Sequence, residues 1–213
     1  MSGAGRQEGF DTKRVAGYDR PMMTSTTTPQ LEDYLERLCN LLRAQARNVG
    51  AEYGLLPVHL EALRYLSACN RYSDTPQAVA DYLGQTKGSV SQIIKTLETK
   101  GLVTKTQDQA DRRVVHLAIA DRGREVLAAI LPRPFLREAV TVLGNSAQDR
   151  LRDGLDVLLR SLQQANGLRT FGPCQTCRYH RHTAGGLQCE LTGERLNDDD
   201  RTRICREHQY AQG

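Results

Sequence analysis

The sequence predicts a mainly α-helical fold with one small β-hairpin, followed by a separate cysteine-rich module at the C-terminal end. Three observations support this prediction. Apolar residues recur at three- and four-residue spacing along most of the 213 residues, as they do on the buried face of a helix. Two short β-rich segments interrupt this pattern. Four of the six cysteines are confined to the last forty residues.

Composition and charge exclude several classes of protein. With 213 residues the chain is long enough for one large domain or two small ones. No stretch approaches the ~20 apolar residues of a membrane span. Arg6, Glu8 and Asp11 stand where a signal peptide needs an apolar segment. We therefore expect a cytoplasmic protein, and its net charge of +4 permits a nucleic-acid partner without requiring one.

Residues 1–28 lack apolar periodicity and are rich in Gly, Ser, Thr and charged residues. Such a segment buries too little surface to offset the entropy of ordering, which predicts a disordered N-terminal tail. A basic arm that enters a DNA groove is the alternative interpretation. Met22 or Met23 is an alternative start of the chain.

Residues 29–166 form the predicted helical body. The first helix begins after Pro29, and the second takes Pro57 in its first turn. Thr75 is predicted to cap a short third helix, which Gly84 ends. The apolar stripe of the first helix comprises Leu31, Tyr34, Leu35, Leu38, Leu41, Leu42 and Val49.

The predicted fourth helix, residues 86–100, carries hydrogen-bond donors opposite its apolar stripe. Because it follows the third helix after a tight turn at Gly84-Gln85, the two helices predict a helix-turn-helix. Side chains of these types reach phosphates and base edges in DNA. This donor face comprises Lys87, Ser89, Ser91, Gln92 and Lys95.

A β-hairpin is predicted directly after the fourth helix. Its strands, residues 102–106 and 114–119, bracket a polar loop that ends in Arg112 and Arg113. A hairpin in this place is the wing of a winged helix-turn-helix. Six basic against three acidic residues lie between Lys87 and Arg113, so most of the net positive charge belongs to the surface that would face a duplex.

Two further helices complete the predicted body. The fifth begins at Asp121 and is broken by Pro132 and Pro134, and the sixth occupies residues 145–166. Apart from a second copy of the chain, the apolar stripes of the first and last helices have no obvious partner. A homodimer, which would read half-sites about 34 Å apart, and an ordinary monomer core are both consistent with these stripes alone.

Three short motifs give the body its resemblance to a known family. They are LETKGLV at residues 97–103, DRR at residues 111–113 and LAIADRG at residues 117–123. In this order and spacing they resemble the MarR family of bacterial transcriptional regulators over about residues 30–166. The family's usual Thr before the last turn is replaced by Ala120-Asp121, and Asp caps a helix equally well.

The resemblance implies a sequence-specific transcriptional regulator, not an enzyme. It implies a homodimer that binds a pseudo-palindromic operator and is held by the first and last body helices. The donor face would enter the major groove. Arg112 and Arg113 would contact DNA from the wing, with Arg113 in the minor groove, and Asp111 would hold the wing arginine rather than touch DNA. A small-molecule or redox effector is a further expected partner.

Residues 167–213 form the predicted cysteine-rich module, which has few large apolar residues. About forty such residues cannot make a stable core alone, so the thiols must hold them together. Disulfides suit a reducing cytosol poorly, which favours a metal. One metal site per chain is predicted, and zinc and a 4Fe–4S cluster both stay open as its occupant. The predicted ligands are Cys174, Cys177, Cys189 and Cys205, with His208 as an alternative ligand.

The two metals predict different roles for the module. Zinc would be structural, whereas a cluster would be a sensor whose loss unfolds the module. Two other functions stay open as alternatives, a metal- or thiol-dependent redox enzyme and a protein-interaction module that uses the tail. Outside the module, Cys39 and Cys69 are predicted to be buried as small apolar residues.

Overall fold

The structure is a computed structural model that describes residues 27–131 and 133–211. Contacts divide the chain into two compact units, Met1–Leu42 and Arg43–Gly213. Within the described ranges, every helix is too short or too polar to traverse a lipid bilayer.

The body is mainly helical with one hairpin, as predicted. In chain order its elements are α1 (Thr27–Glu52), α2 (Pro57–Ala68), α3 (Pro76–Leu83), α4 (Lys87–Thr99), β1 (Val103–Gln107), β2 (Val115–Ile119), α5 (Asp121–Ile130), α6 (Pro134–Thr141) and α7 (Asn145–Ala165). The predicted disorder of residues 1–28 lies outside the described residues except at its end. There α1 begins at Thr27, earlier than predicted, because a first helical turn accepts a proline such as Pro29.

The helix-turn-helix forms from the local signals that the sequence predicts. The Thr75 hydroxyl accepts the Ala78 amide at 3.2 Å at the start of α3, and Gly84 ends that helix with a φ of 60°. The Thr86 hydroxyl accepts the Ser89 amide, also at 3.2 Å, at the start of α4. These caps fix both sides of the turn and so set the direction of α4.

One apolar core joins α2, α3, α4, the hairpin and α5. The hairpin is antiparallel and runs from Val103 opposite Ile119 to Gln107 opposite Val115. Only the first residue of β1 is buried, so the core anchors the hairpin at its base and the tip stands out in solvent. The largest fully buried apolar side chains of this core are Leu63, Tyr65, Val79, Val90, Leu97 and Val103.

The helices after the wing differ partly from the prediction. The single broken helix is two helices, because α5 ends at Ile130 and α6 takes Pro134 in its first turn, where proline is favoured. The last body helix, α7, agrees with the prediction. All of its residues are described, and none of them is buried. Its half-exposed leucines include Leu151, Leu155, Leu159 and Leu162.

The cysteine-rich segment is folded, with short elements that the sequence does not predict. They are β3 (Gly172–Pro173), a 3₁₀ turn (Cys174–Thr176), β4 (His180–Thr183), β5 (Gly186–Cys189), α8 (Asp198–Thr202) and β6 (Ile204–Cys205). Strand β3 pairs with β6, and β4 pairs with β5, both antiparallel. Both sides of the predicted domain boundary at residue 167 belong to the unit Arg43–Gly213, and the boundary itself stays a prediction.

Gly123 provides a test of the packing between α5 and the hairpin. A Cβ atom at this position would overlap the carbonyl oxygen of Leu102 and lie 2.8 Å from Cγ2 of Ile119. We expect Gly123→Ala to lower the free energy of unfolding by about 1–3 kcal/mol in urea denaturation, since backbone must move to admit the methyl group. The matched control is Gly88→Ala in α4, whose new atom meets only Thr86 Oγ1 at 3.9 Å. Equal stability of the two variants would contradict this packing.

Candidate nucleic-acid interface and cysteine cluster

The outer side of α4 presents the donor face predicted from the sequence. All five of its side chains are exposed to solvent. Val90, Ile93 and Leu97 on the opposite side of the helix are buried in the core. The Ser89 hydroxyl already has one hydrogen-bond partner within the protein, since it lies 3.0 Å from the hydroxyl of Thr86. The core therefore holds α4 rigidly and leaves its polar side free for a ligand.

The tip of the wing holds Arg113 in a defined pose. Its Nε and Nη2 atoms donate to the two carboxylate oxygens of Asp111 at 3.0 and 2.9 Å. The hydrogen bonds from Arg113 lower the pKa of Asp111. The Arg113 side chain is nevertheless 90% exposed, and Arg112 beside it is exposed as well. Asp111 thus holds the side chain of Arg113 in this structure, and Arg113 keeps donors for a second partner.

A histidine of β2 joins the wing to the connection between α2 and α3, which sequence analysis misses. His116 Nδ1 lies 2.6 Å from Asp74 Oδ1, and His116 Nε2 lies 3.2 Å from Asp108 Oδ2. Asp108 also accepts the backbone amides of Ala110 and Asp111 in the wing loop. The hydrogen bond that His116 donates to Asp74 raises the pKa of His116, and burial raises the pKa of Asp74. No sequence signal marks the pair, because its members lie 42 residues apart.

The four cysteines of the C-terminal segment lie on or beside its short elements. Cys174 begins the 3₁₀ turn, Cys177 follows it, Cys189 ends β5 and Cys205 ends β6. Interaction between the Cys174 and Cys205 thiols raises the pKa of Cys174 and lowers that of Cys205. Burial further raises the pKa of Cys174. All six cysteines of the chain fall within the described ranges, and all are free thiols.

The cysteine cluster is not arranged as a completed metal site. In the part of the chain that the structure describes, no group of three or more Cys, His, Asp or Glu residues is placed to hold a metal ion. The alternative ligand His208 is buried, and its two ring nitrogens lie 2.7 Å from the Thr170 hydroxyl and 2.9 Å from the Thr176 hydroxyl. Its ring fills the space that a Cβ atom on Gly172 would occupy. Packing and hydrogen bonds therefore account for the position of His208.

The two cysteines outside the module differ from each other. Cys69 is buried as predicted, and burial raises the pKa of its thiol to about 12. Cys39 is exposed, so its predicted burial is wrong. The stripe of α1 beside it is exposed as well, since Leu38 and Leu41 are 53% and 61% accessible. An apolar periodicity identifies the face of a helix but not the partner that covers it.

A pocket of mixed character lies beside the core of the body. It is formed by the end of α1, the start of α2 and the residues around the α5–α6 connection. Val49, Leu60 and Phe135 contribute apolar lining, Arg64 and Arg133 contribute two positive charges, and Glu61 contributes one negative charge. Burial, and then the charge of Arg64, lowers the pKa of Arg133. Such a lining suits an apolar molecule with an anionic group.

Comparisons with known proteins bear directly on the helix-turn-helix and wing. A sequence model of the MarR family matches residues 53–114, which run from α2 to the wing tip. The chain is 31% identical over 139 residues to the uncharacterized HTH-type transcriptional regulator YkoM of Bacillus subtilis (strain 168), covering 61% of this chain and 88% of YkoM. The chain belongs to the MarR family.

Two further relatives support the same family and fold. The chain is 27% identical over 143 residues to the transcriptional repressor MprA of Escherichia coli (strain K12), covering 64% of this chain and 81% of MprA. Streptococcus pneumoniae FabT, solved in complex with DNA, matches with a TM-score of 0.55 at 20% identity, over 64% of this chain and 97% of FabT. The predicted winged helix-turn-helix fold is therefore confirmed. Each of these three matches leaves more than a third of this chain uncovered.

The ion pair of His116 predicts a pH dependence of stability. Because its folded-state pKa is raised above 6.5, protonated His116 stabilises the folded chain fully below that value, and this contribution is lost as pH rises through the folded pKa. We expect wild type to exceed His116→Asn in free energy of unfolding by more at pH about 5.5 than at pH about 9, measured in urea. His59→Asn is the control. Because burial lowers the pKa of His59, the difference in free energy of unfolding between wild type and this variant should change with pH in the opposite direction. A pH-independent difference for His116→Asn would contradict the assigned ion pair.

Proposed function

We propose that this MarR-family chain is a sequence-specific transcriptional regulator that binds a pseudo-palindromic operator. The observation that carries the proposal is the exposed donor face of α4 beside a wing tip whose Arg113 is held by Asp111. The donor face (Lys87, Ser89, Ser91, Gln92 and Lys95) would enter the major groove, and Arg112 and Arg113 would contact DNA from the wing. The DNA bound to FabT and the regulatory descriptions of YkoM and MprA support this function.

We infer that the regulator acts as a homodimer through its first and last body helices. Leucines exposed at helical spacing are costly for a monomer in water and are typical of a subunit interface. A two-fold dimer would also match the two half-sites of a pseudo-palindrome. The half-exposed leucines include Leu31, Leu38 and Leu41 of α1 and Leu151, Leu155, Leu159 and Leu162 of α7.

Arg113 supplies the test of the DNA-binding proposal. A duplex selected from random DNA by wild-type protein serves as the operator. We expect Arg113→Ala to weaken binding to this duplex by about 1–3 kcal/mol in a gel-shift titration, with no change in thermal unfolding. Arg181→Ala is the matched control, because Arg181 is an exposed arginine paired with an acid, Glu190, away from the wing. Wild-type affinity of Arg113→Ala would show that the wing assignment is wrong.

We further propose one metal site per chain at Cys174, Cys177, Cys189 and Cys205. A buried polar atom supports it. Asn70 Nδ2 has no hydrogen-bond partner among the described residues, and the Asn70 backbone amide donates to the carbonyl oxygen of Ile204, the neighbour of Cys205, at 2.9 Å. A thiolate accepts a hydrogen bond better than a thiol does, so this donor suits a deprotonated ligand. Bound zinc or a 4Fe–4S cluster would cross-link a segment that has little apolar core.

Metal analysis of full-length protein purified without oxygen tests this site and identifies its occupant. Colourless protein with about one zinc per chain would indicate a structural ion, and brown protein with about four irons per chain would indicate a cluster. We expect Cys177→Ser to lose the metal. Cys39→Ser is the matched control and should keep it, because Cys39 lies outside the module. Metal-free wild-type protein would contradict the site.

We place a small-molecule effector in the pocket that contains Arg64 and Arg133. Its apolar lining and two arginines favour an aromatic or aliphatic anion. A redox effector would act instead at the cysteine cluster, whose thiols are free.

A further inference from the structure

An aromatic side chain anchors the chain in the helix-turn-helix shortly after α7 ends. The ring of Phe171 packs edge-on against Tyr65 of α2 and Tyr82 of α3, with centroids 6.0 and 5.2 Å apart. The backbone of Phe171 has a φ of 47°, in the left-handed region that residues other than glycine rarely adopt. Such a conformation persists only where the surrounding packing enforces it, so this contact fixes the start of the cysteine-rich module on the helix-turn-helix.

The last strand of the module provides a second attachment to the helix-turn-helix. The Asn70 amide, between α2 and α3, donates to the carbonyl oxygen of Ile204 at 2.9 Å. The Arg206 amide donates to Ser73 Oγ at 2.8 Å. The guanidinium of Arg206 also pairs with Asp81 of α3 at 2.6 Å, and both side chains are mostly buried. Because partly buried ion pairs are screened less than exposed ones, these contacts hold the module in one position on α2 and α3.

The module also contacts the last turns of α7. The guanidinium of Arg160 lies over the ring of Tyr210, with Cζ 3.8 Å from the centroid, and a cation in this place is attracted by the aromatic face. Arg160 is oriented by a 2.7 Å ion pair with Asp156, one turn earlier in α7. Closer to the end of the helix, Gln163 Nε2 donates to the carbonyl oxygen of Thr170 at 3.1 Å. Both the start and the end of the module therefore bind α7.

His208 joins these two contacts with α7 into one unit. Its ring is buried and packs edge-on against Tyr210, with centroids 4.5 Å apart. The Thr170 hydroxyl donates to the His208 carbonyl oxygen at 2.6 Å and lies 2.7 Å from His208 Nδ1. The residues that meet α7 are thus fixed to each other inside the module.

Helix α7 is held at its two ends rather than by a buried face. All of its residues are described, and none is buried. At its start, Gln148 Nε2 donates to the carbonyl oxygens of Val140 and Leu143, at 3.2 and 2.8 Å. At its end, the module connects it to α2 and α3. The module therefore links the helix that carries the exposed leucines to the helix-turn-helix that carries the donor face.

We propose that the cysteine-rich module braces α7 against the helix-turn-helix and thereby selects the spacing between the half-sites of the operator. This inference rests on the proposed homodimer. If α7 carries the subunit interface and α4 carries the DNA contacts, the separation of the two α4 helices depends on how α7 is held in each subunit. A rigid dimer engages two half-sites together only at the matching spacing. The effective concentration for the second contact is high there and low elsewhere.

The first test measures this spacing preference with full-length protein in gel-shift titrations. The selected duplex is compared with one that has two base pairs inserted between its half-sites, which rotates one half-site by about 70° relative to the other. We expect wild type to bind the longer duplex at least about 10²-fold more weakly. Equal affinity of wild type for the two duplexes overturns the inference and leaves DNA binding standing. If wild type selects no duplex, or binds one only as a monomer, the proposed function fails and the inference fails with it.

Two variants loosen the brace at separate points. Tyr210→Leu removes the aromatic face beneath Arg160, and Arg206→Gln removes the charge that pairs with Asp81. Both side chains lie outside the donor face and the wing. Each variant should bind the selected duplex more weakly, and the ratio of its affinities for the two duplexes should fall to about tenfold or less. Partial unfolding alone would lower both affinities equally and keep the ratio.

The module offers a matched control for each variant. Tyr179→Leu removes a ring whose cationic partner is Arg178, and Arg181→Gln removes a charge that pairs with Glu190. All four of these residues lie within the module, so both controls should keep the wild-type ratio of affinities. The inference is wrong if Tyr210→Leu and Arg206→Gln also keep that ratio, or if the controls lose it to the same extent.

Hydrogen exchange shows without DNA whether the brace has been loosened, and it covers the case in which Arg206→Gln fails to fold. Tyr210→Leu should speed exchange of the Leu168 amide, which donates to the Gln163 carbonyl oxygen where α7 meets the module. The Leu131 amide at the end of α5 should exchange as in wild type. Unchanged Leu168 exchange overturns the inference, because Tyr210 then does not hold α7. Faster Leu168 exchange with an unchanged ratio of duplex affinities also overturns it.

Discussion

Most buried polar groups of the connection between α2 and α3 find hydrogen-bond partners, and the rest of the structure depends on how they do so. Tyr65 donates to the Ser73 carbonyl from within the core, at 2.8 Å. The module satisfies the backbone amide of Asn70 and the Ser73 hydroxyl, and β2 satisfies the backbone carbonyl of Asp74. An unsatisfied buried polar group costs about 1–3 kcal/mol, so helix, module and wing hold one another in place through these few residues.

Local chemistry made much of the body predictable from the sequence. Thr75, Gly84 and Thr86 each act through neighbours within four residues, so the caps and the turn between α3 and α4 follow from sequence alone. Alternation and turn residues likewise predict the hairpin, and the Asp111–Arg113 pair is local enough to expect. The separate helix α6 was not predicted, since prolines at a break do not reveal whether a helix resumes beyond it.

Contacts between distant residues explain what the sequence could not predict. His116 and Asp74, and Arg206 and Asp81, meet only after the chain has folded, and neither pair belongs to a local motif. The cysteine spacing predicts a metal site, but it contains no information about the body surface on which this segment docks. The exposure of Cys39 could not be predicted for the same reason. Apolar periodicity assigns a residue to a helix face but does not identify what packs against that face.

The exposed leucines of α7 should make the stability of the proposed homodimer depend on the protein concentration. In the proposed homodimer these side chains leave water only on association, so part of the folding free energy belongs to a bimolecular step. By mass action the apparent melting temperature should then fall on dilution, and subunits at low concentration should be both unpaired and less stable. A helix with no buried residue of its own thus makes the persistence of the fold depend on how many copies of the chain are nearby.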